Sequence, residues 1–315
     1  MPLVSIRSFV TRRPVAGGVR HPGGAAPRML LALASALALA AAAAPSAHAR
    51  PFLWTLTSPT ATVHLLGSIH LATPDLYPLD PRIEAAFQAA QTLVLEILMD
   101  PATQVRAAAQ LARAGTYPAG DSLDLHLDRP TLEALHRQLQ KSGIPFSTVR
   151  SQRPWLVALM LSLGEMQRLG FRPELGIDTH FAARAQGQKR VLGLESVDQQ
   201  VAMFDGMPEA LQAQMLADAL GRLDEVGEML GRAVAAWRAG DAEGVYDALI
   251  APMRAEFPGI YQRLVADRNR RMAEAIEAAL RGSGVSFVVV GSGHLGGPDG
   301  ILPLLRAKGY TPAQP

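Results

Sequence analysis

The sequence predicts an α/β protein with a central, mostly parallel or mixed sheet and large helical elaborations. Three observations lead there. From residue 52 onward, short apolar runs of strand length alternate with longer helical segments. Several helical segments open on an aspartate cap with proline close behind, as at Asp80-Pro81, Asp100-Pro101 and Asp128-Arg129-Pro130. Four apolar runs end in, or next to, an ionisable side chain: His70, Glu96, Glu195 and His294.

Taken in chain order, residues 52–57 (FLWTLT) and 61–66 (ATVHLL) flank Ser58-Pro59-Thr60 and read as a β-hairpin. A helix over 81–90 leads to the continuous apolar run 92–98 (TLVLEIL), a buried strand. Residues 61–98 are therefore expected to form a right-handed parallel β-α-β unit. Further helices are expected from Asp100, Asp128 and Pro154. A helix over 176–186 delivers the chain to a strand at 190–195 (RVLGLE). Residues 197–237 read as mostly helical with breaks at 206–208, and 258–281 as one long amphipathic helix. The apolar strand 285–290 (VSFVVV) and a helix over 298–308, stopped by Gly309, close the chain. No repeat of solenoid length and no linker is visible, so residues 50–315 read as a single domain.

Composition narrows the chemistry. The 315 residues are 49% hydrophobic and 18% charged, enough for a sizeable core and too apolar for general disorder. There is no cysteine, which excludes disulfides, thiolate catalysis, iron–sulfur clusters and cysteine-ligated zinc. Any metal must sit on His, Asp or Glu. The formal charge of +2 invites a nucleic-acid reading, but the basic excess lies at the wrong end. Arg7, Arg12, Arg13, Arg20, Arg28 and Arg50 all precede the first acidic residue, Asp75. An apolar stretch over 29–44 comes after the first five of these arginines and ends before Pro45 and Ala47-His48-Ala49. That pattern describes a secretory signal peptide over residues 1–49. An organelle transit peptide is the competing reading, and Arg12-Arg13 hints at twin-arginine export. Cutting after Ala49 removes five arginines and leaves a mildly acidic chain. The expectation is an exported protein, periplasmic or secreted, with no nucleic-acid partner and no stable membrane span after cleavage.

Position is the informative feature. Ligands of α/β sheets bind at the carboxyl ends of the strands. If the strands ending at His70, Glu96, Glu195 and His294 are neighbours and parallel, two imidazoles and two carboxylates converge on one rim. Such a set suits zinc, manganese or iron. Two of the four share a local phrase, Gly67-Ser68-Ile69-His70 and Gly291-Ser292-Gly293-His294. Glycine there permits a sharp exit from the strand. A single histidine or glutamate at a strand end is ordinarily a solvated terminus; four together, with a repeated phrase, point to a site. His64 lies mid-strand and reads as structural, and His126, His136 and His180 as surface or packing residues. The Gly291–Gly296 run matches G-x-G-x-x-G, but the chain ends too soon for the acidic residue a dinucleotide site needs. Its backbone amides retain the character of an anion-binding nest. No G-x-S-x-G and no H-E-x-x-H occurs. Arg268-Asn269, on the long helix, reads either as a surface pair or as a guanidinium that orients a carboxylate or binds an oxyanion. Asp178 reads as a residue of a helix N-terminus.

With these phrases assembled, the sequence resembles the TraB/GumN family, related to the Tiki metalloproteases and to the PrgY pheromone-shutdown proteins. The resemblance covers about residues 52–312. It rests on LLGSIHLATPDLYPL (65–79), TLVLEI (92–97), RPWLVAL (153–159), GIDTHF (176–181), VLGLESVDQQ (191–200), AWRAGD (236–241), DRNRRM (267–272) and VVGSGHLGGPDGILPLLRAKGY (289–310). It implies that the family's two GxxH motifs fall on His70 and His294 and its glutamate on Glu96. In the Tiki branch these are the proposed metal-site residues, with manganese- or cobalt-type dependence. Glu195, Asp178, Arg268 and Asn269 match further family positions. The wider superfamily resembles erythromycin esterases, in which histidine acts as a base without metal.

The expected function is a metal-dependent, peptidase-like hydrolase. His70 and His294 ligate one divalent ion (manganese, cobalt or zinc) with Glu96 or Glu195 as third ligand. The remaining glutamate moves the proton. Arg268 or the amides after Gly291 stabilise the oxyanion, with Gly67, Ser68, Ser292 and Gly293 shaping the loops. The substrate is expected to be a peptide or polypeptide. A metal-free His/Glu hydrolase and a non-catalytic binder of exported peptides or glycans are the alternatives.

Overall fold

A five-stranded mixed sheet organises the protein. The structure is a computed structural model that describes residues 50–98 and 100–315; the expected signal peptide lies outside the described residues. The strands are β1 (Leu53–Thr57), β2 (Ala61–Ser68), β3 (Thr92–Ile97), β4 (Arg190–Glu195) and β5 (Gly284–Gly291), in the spatial order β1-β2-β5-β3-β4. The hairpin β1–β2 is antiparallel, and β2, β5, β3 and β4 all run parallel. The α/β class is thus as expected. The β-α-β reading needs one refinement: β2 and β3 are parallel but not neighbours, because the last strand inserts between them. β5 carries Phe287, Val288, Val289 and Val290, all essentially fully buried, as the centre of a parallel sheet demands.

The helices, in chain order, are α1 (Pro81–Ala89), α2 (Pro101–Ala114), α3 (Arg129–Lys141), α4 (Pro154–Arg168), α5 (Ile177–Ala185), α6 (Val197–Asp205), α7 (Glu209–Arg222), α8 (Val226–Arg238), α9 (Ala242–Leu249), α10 (Ala251–Glu256), α11 (Pro258–Tyr261), α12 (Asp267–Arg281) and α13 (Ile301–Ala307). The side chains of Asp80, Asp100 and Asp128 each accept a backbone N–H of the first turn, so the three aspartates cap as their type predicts. The last helix starts at Ile301 rather than 298, because the chain first makes a 3₁₀ turn over Ser292–His294 and a glycine-rich loop. Among the described residues no helix is long and apolar enough to cross a membrane.

The predicted helix over 258–281 is interrupted by a π-helical segment, Gln262–Ala266, immediately before α12. A π turn accommodates an extra residue and shifts the phase of the helix after it. In α12 the buried positions are Arg268, Asn269, Met272, Ala273, Ile276 and Leu280, one face at helical spacing. The apolar members pack in the sheet's core cluster. Arg268 and Asn269 share that face one turn earlier and meet the carboxyl ends of the strands. A second cluster, around Leu123, Leu135, Val157 and Leu216, binds the helical elaboration together.

Trp237 at the end of α8 ties that elaboration to the first strand exit. Its indole stacks on Phe52 at 6.1 Å between centroids, and its Nε1–H donates to the Gly67 carbonyl at 2.7 Å. Replacing Trp237 by Phe keeps an aromatic ring but leaves that buried carbonyl without this donor. The expected loss is about 1–3 kcal/mol in urea unfolding. An unchanged midpoint would show that the bond contributes nothing.

Candidate active site

The register of the sheet brings the two repeated phrases side by side. Ser68 is paired with Gly291, and Gly67 with Val290. On the other flank of β5, Leu95 is level with Val289, so Glu96 sits beside the end of β5, and Ile97 is level with Glu195. All four parallel strands therefore finish at one rim. Each of the four sequence-predicted residues lies there, together with Asp178, Arg268 and Asn269.

Glu96 stands at the centre. Its Oε1 accepts the Gly291 backbone N–H and lies 3.9 Å from both His70 Nε2 and His294 Nε2. Its Oε2 accepts Arg268 NH2 at 2.6 Å. Burial works against its ionised form. Attraction to His294 and His70 in their protonated forms and to the Arg268 charge, together with the Gly291 N–H, outweighs burial and holds the carboxyl below its ordinary range. Arg268 is the group among them that is certain to be charged at neutral pH. Gly291 matters here for the space it leaves. A Cβ built on it would lie 3.1 Å from Glu96 Oε1 and from His70 Nε2. Any side chain at that position would press into the gap between the two.

The two histidines are held differently. His294 is buried. Its Nδ1 faces Asn269 Oδ1 at 2.6 Å, and its Nε2 lies 3.0 Å from Arg268 NH1. Asn269 is oriented by its own Nδ2–H, which donates to the Asp299 carbonyl at 2.8 Å. A guanidinium can only donate, and an amide oxygen can only accept. His294 is therefore the neutral tautomer with its proton on Nδ1 and its lone pair on Nε2. Burial, aided by the Arg268 charge, lowers its pKa to about 4. His70 lies on the loop after β2 with about half of its side chain exposed. Its Nδ1 is 3.1 Å from Asp178 Oδ2. Burial of the ring opposes protonation, but the Asp178 hydrogen bond and the charges of Asp178 and Glu96 win, raising the pKa to about 9. Asp178 is placed by the start of α5, where Ile177 N–H donates to the Ile69 carbonyl at 3.1 Å.

Glu195 is the buried end of an otherwise exposed or half-buried strand; 1% of its side chain is accessible. Both of its oxygens are occupied. Arg268 Nε reaches them at 3.1 and 2.9 Å, Arg268 NH2 reaches Oε2 at 2.8 Å, and Arg271 NH2 reaches Oε1 at 3.2 Å. The structure thus distinguishes the two glutamates. Glu96 keeps one oxygen towards the histidines, and Glu195 anchors the arginines. Ser68 and Ser292 are buried at the rim, and the Ser68 hydroxyl has no hydrogen-bond partner among the described residues. Gly293 packs against Ile250. Among the described residues no group of three His, Asp or Glu side chains stands close enough to hold a metal ion as it is.

Sequence reasoning missed Asp299, Arg271 and Tyr261. Tyr261 donates its hydroxyl to Asp299 Oδ2 at 2.7 Å, fixing the loop whose carbonyl orients Asn269. Arg271 lies three residues beyond Arg268, so helical spacing was its available signal. Beside the rim, a cavity of about 420 Å³ opens at the ends of β3 and β4, lined by Asp100, Thr103, Arg106, Glu195 and Asp198. A second cavity of about 530 Å³, among α4, α7, α8 and α11, is lined by none of the rim side chains.

Comparison with known proteins identifies the chain. The model of the TraB/PrgY/gumN family matches residues 52–314. The chain belongs to this family. It is 29% identical over 244 residues to the uncharacterized protein YbaP of Escherichia coli (strain K12), covering 77% of this chain and 87% of that one. The YbaP protein of Shigella flexneri matches to the same extent. An uncharacterized protein of Treponema pallidum (strain Nichols) is 24% identical over 283 residues, 83% of this chain and 82% of its own length. No solved structure matches the chain.

The tautomer assignment is directly measurable. Long-range 1H–15N spectra of the metal-free protein at neutral pH should show His294 protonated at Nδ1 and unprotonated at Nε2. A proton on Nε2 would contradict the Arg268 contact.

Proposed function

We propose that this member of the TraB/PrgY/gumN family is an exported hydrolase of peptide bonds that uses a divalent metal held by His70, His294 and Glu96. The observation that carries the reading is the convergence of two imidazole Nε2 atoms on one carboxylate oxygen, each 3.9 Å away. The donor set fits a manganese-, cobalt- or zinc-type ion in kind. The second layer fits too. Each histidine has its far nitrogen engaged, by Asp178 or by Asn269, the arrangement that orients metal-ligating imidazoles. The fit has two conditions: His70, whose pKa is raised to about 9, must give up its Nε2 proton, and Arg268 NH1 must release the His294 lone pair.

Bound there, a divalent ion supplies Lewis-acid polarisation of a carbonyl and a lowered pKa for water. The rest falls to the chain. Glu96 presents Oε1 to the histidines and Oε2 to Arg268, so Oε1 is the atom that holds a cation or a proton. Arg268, clamped by Glu195, brings a fixed positive charge to the rim, where negative charge on a tetrahedral oxygen would develop. Glu195 and Arg271 keep that guanidinium in place. His70, half-exposed and backed by Asp178, faces the side from which a substrate approaches. The cavity lined by Thr103, Arg106 and Asp198 gives room beside the rim for an extended polar chain.

One observation favours a second reading. The His70–Asp178 pair is a histidine oriented by a carboxylate, the arrangement of metal-free acid–base catalysis. A third reading, plain binding of exported peptides or glycans, uses the same rim without turnover.

The test uses the chain from Arg50, without a histidine tag, and its His70→Ala/His294→Ala variant. Wild type should hold about one equivalent of metal, the stoichiometry of a mononuclear site, and the double variant none. Wild type should cleave members of a peptide library in a chelator-sensitive way. Glu96→Gln should lower kcat/KM by at least ~10²-fold. Cleavage that survives chelators would move the assignment to the His70–Asp178 reading, and saturable binding without cleavage would move it to the binder.

A further inference from the structure

One guanidinium nitrogen occupies the electron pair that a metal would need. Arg268 NH1 lies 3.0 Å from His294 Nε2, the one lone pair of a buried, neutral ring. The same guanidinium binds Glu96 Oε2 at 2.6 Å and Glu195 Oε2 at 2.8 Å. It is 11% exposed, and its two carboxylates 9% and 1%. Two buried carboxylates this close to each other need a cation between them. In this structure the cation is Arg268.

We propose that Arg268 is a resident cation that stands in for a divalent ion and competes with it for the rim. The inference rests on the metal-site reading and adds what sets the affinity of that site. Two effects act in one direction. NH1 must give up His294 Nε2 before an ion can take it. A guanidinium that remains bound to Glu96 and Glu195 then repels the ion across a desolvated rim, where charge interactions are strong. In return, the metal-free site is never left with uncompensated carboxylates, so the rim is assembled before any ion arrives. The hydrogen-bond partition supports this division of labour. Glu96 gives Oε2 to Arg268 and keeps Oε1 for the histidines, and Glu195 is saturated by Arg268 and Arg271.

The experiment is isothermal titration of Mn2+ into the chain from Arg50, with thermal melting of each protein before and after addition. The proteins are wild type, Arg268→Met, Arg268→Lys and the His70→Ala/His294→Ala variant. Arg268→Met removes both the donor and the charge. It should melt lower than wild type without metal, bind Mn2+ at least about tenfold more tightly, and recover more of its melting temperature on binding. Arg268→Lys keeps the charge but lacks the fork that reaches His294, so it should bind more tightly than wild type by a smaller factor. Should the Met variant fail to fold, the Lys variant decides. If both folded variants bind Mn2+ no more tightly than wild type, the competition is overturned while the metal site stands. If wild type does not bind, or if its binding persists in the double-histidine variant, the metal-site reading itself falls, and this inference with it.

Discussion

The structure turns on one buried guanidinium. Arg268 bridges Glu96 and Glu195, which end two neighbouring strands, and reaches His294 beyond the end of a third. A carboxylate buried without a partner would neutralise or open the fold, and two of them side by side would repel. The rim can hold both only because a long, planar, permanently charged side chain arrives from above. That requirement explains the helix that carries it. The π segment before α12 sits where the chain must turn Arg268 and Asn269 onto the face that Met272, Ala273 and Ile276 bury against the sheet. A helix face that is apolar along its length ends in an arginine and a fully buried asparagine because it ends over the site.

The second constraint is strand order. β5 is last in the chain and central in the sheet, between β2 and β3. This insertion sets the two GSxH phrases next to each other and delivers the Gly291 N–H to Glu96. A glycine at the exit is favoured by contact, because a Cβ would force one of two site side chains to give way. Any Cβ there would stand 3.1 Å from both the carboxylate and the His70 imidazole. The helical elaboration is coupled to the same place by Trp237, whose indole caps the Gly67 carbonyl at the neighbouring exit.

Much of this was legible in the sequence, for a definite reason. A strongly apolar run that stops at a histidine or glutamate marks both a strand and its end, so His70, Glu96, Glu195 and His294 could be placed without knowing the sheet. The order of strands was not legible, since alternation and burial say nothing about which edges pair. Burial of Arg268 and Asn269 was hidden by their neighbours: DRNRRM is among the most polar stretches of the chain, and only its phase relative to Met272 and Ile276 points inward. The separate tasks of the two glutamates were hidden too. They depend on Arg271 and the Gly291 N–H, partners distant in sequence from one glutamate or the other. Asp299 orients Asn269 through its backbone carbonyl, which leaves no mark in residue type, and its carboxylate is tied to Tyr261, a partner 38 residues away that no local pattern reveals.

The same topology makes the site a product of completed folding. Glu96 and His70 belong to the first part of the described chain; Asp178, from its middle, orients His70, but the contacts that hold Glu96 come from its end. The Gly291 N–H, the His294 ring, the Asp299 carbonyl and Arg268 lie roughly two hundred residues later in sequence, and loop-closure entropy makes such non-local pairing a slow part of folding. Until β5 enters between β2 and β3, the two GSxH phrases are not neighbours and Glu96 lacks both its N–H donor and its guanidinium. The charge cluster thus depends on β5 being seated in the sheet, and the cost of burying its ions is offset by the apolar layer beneath it.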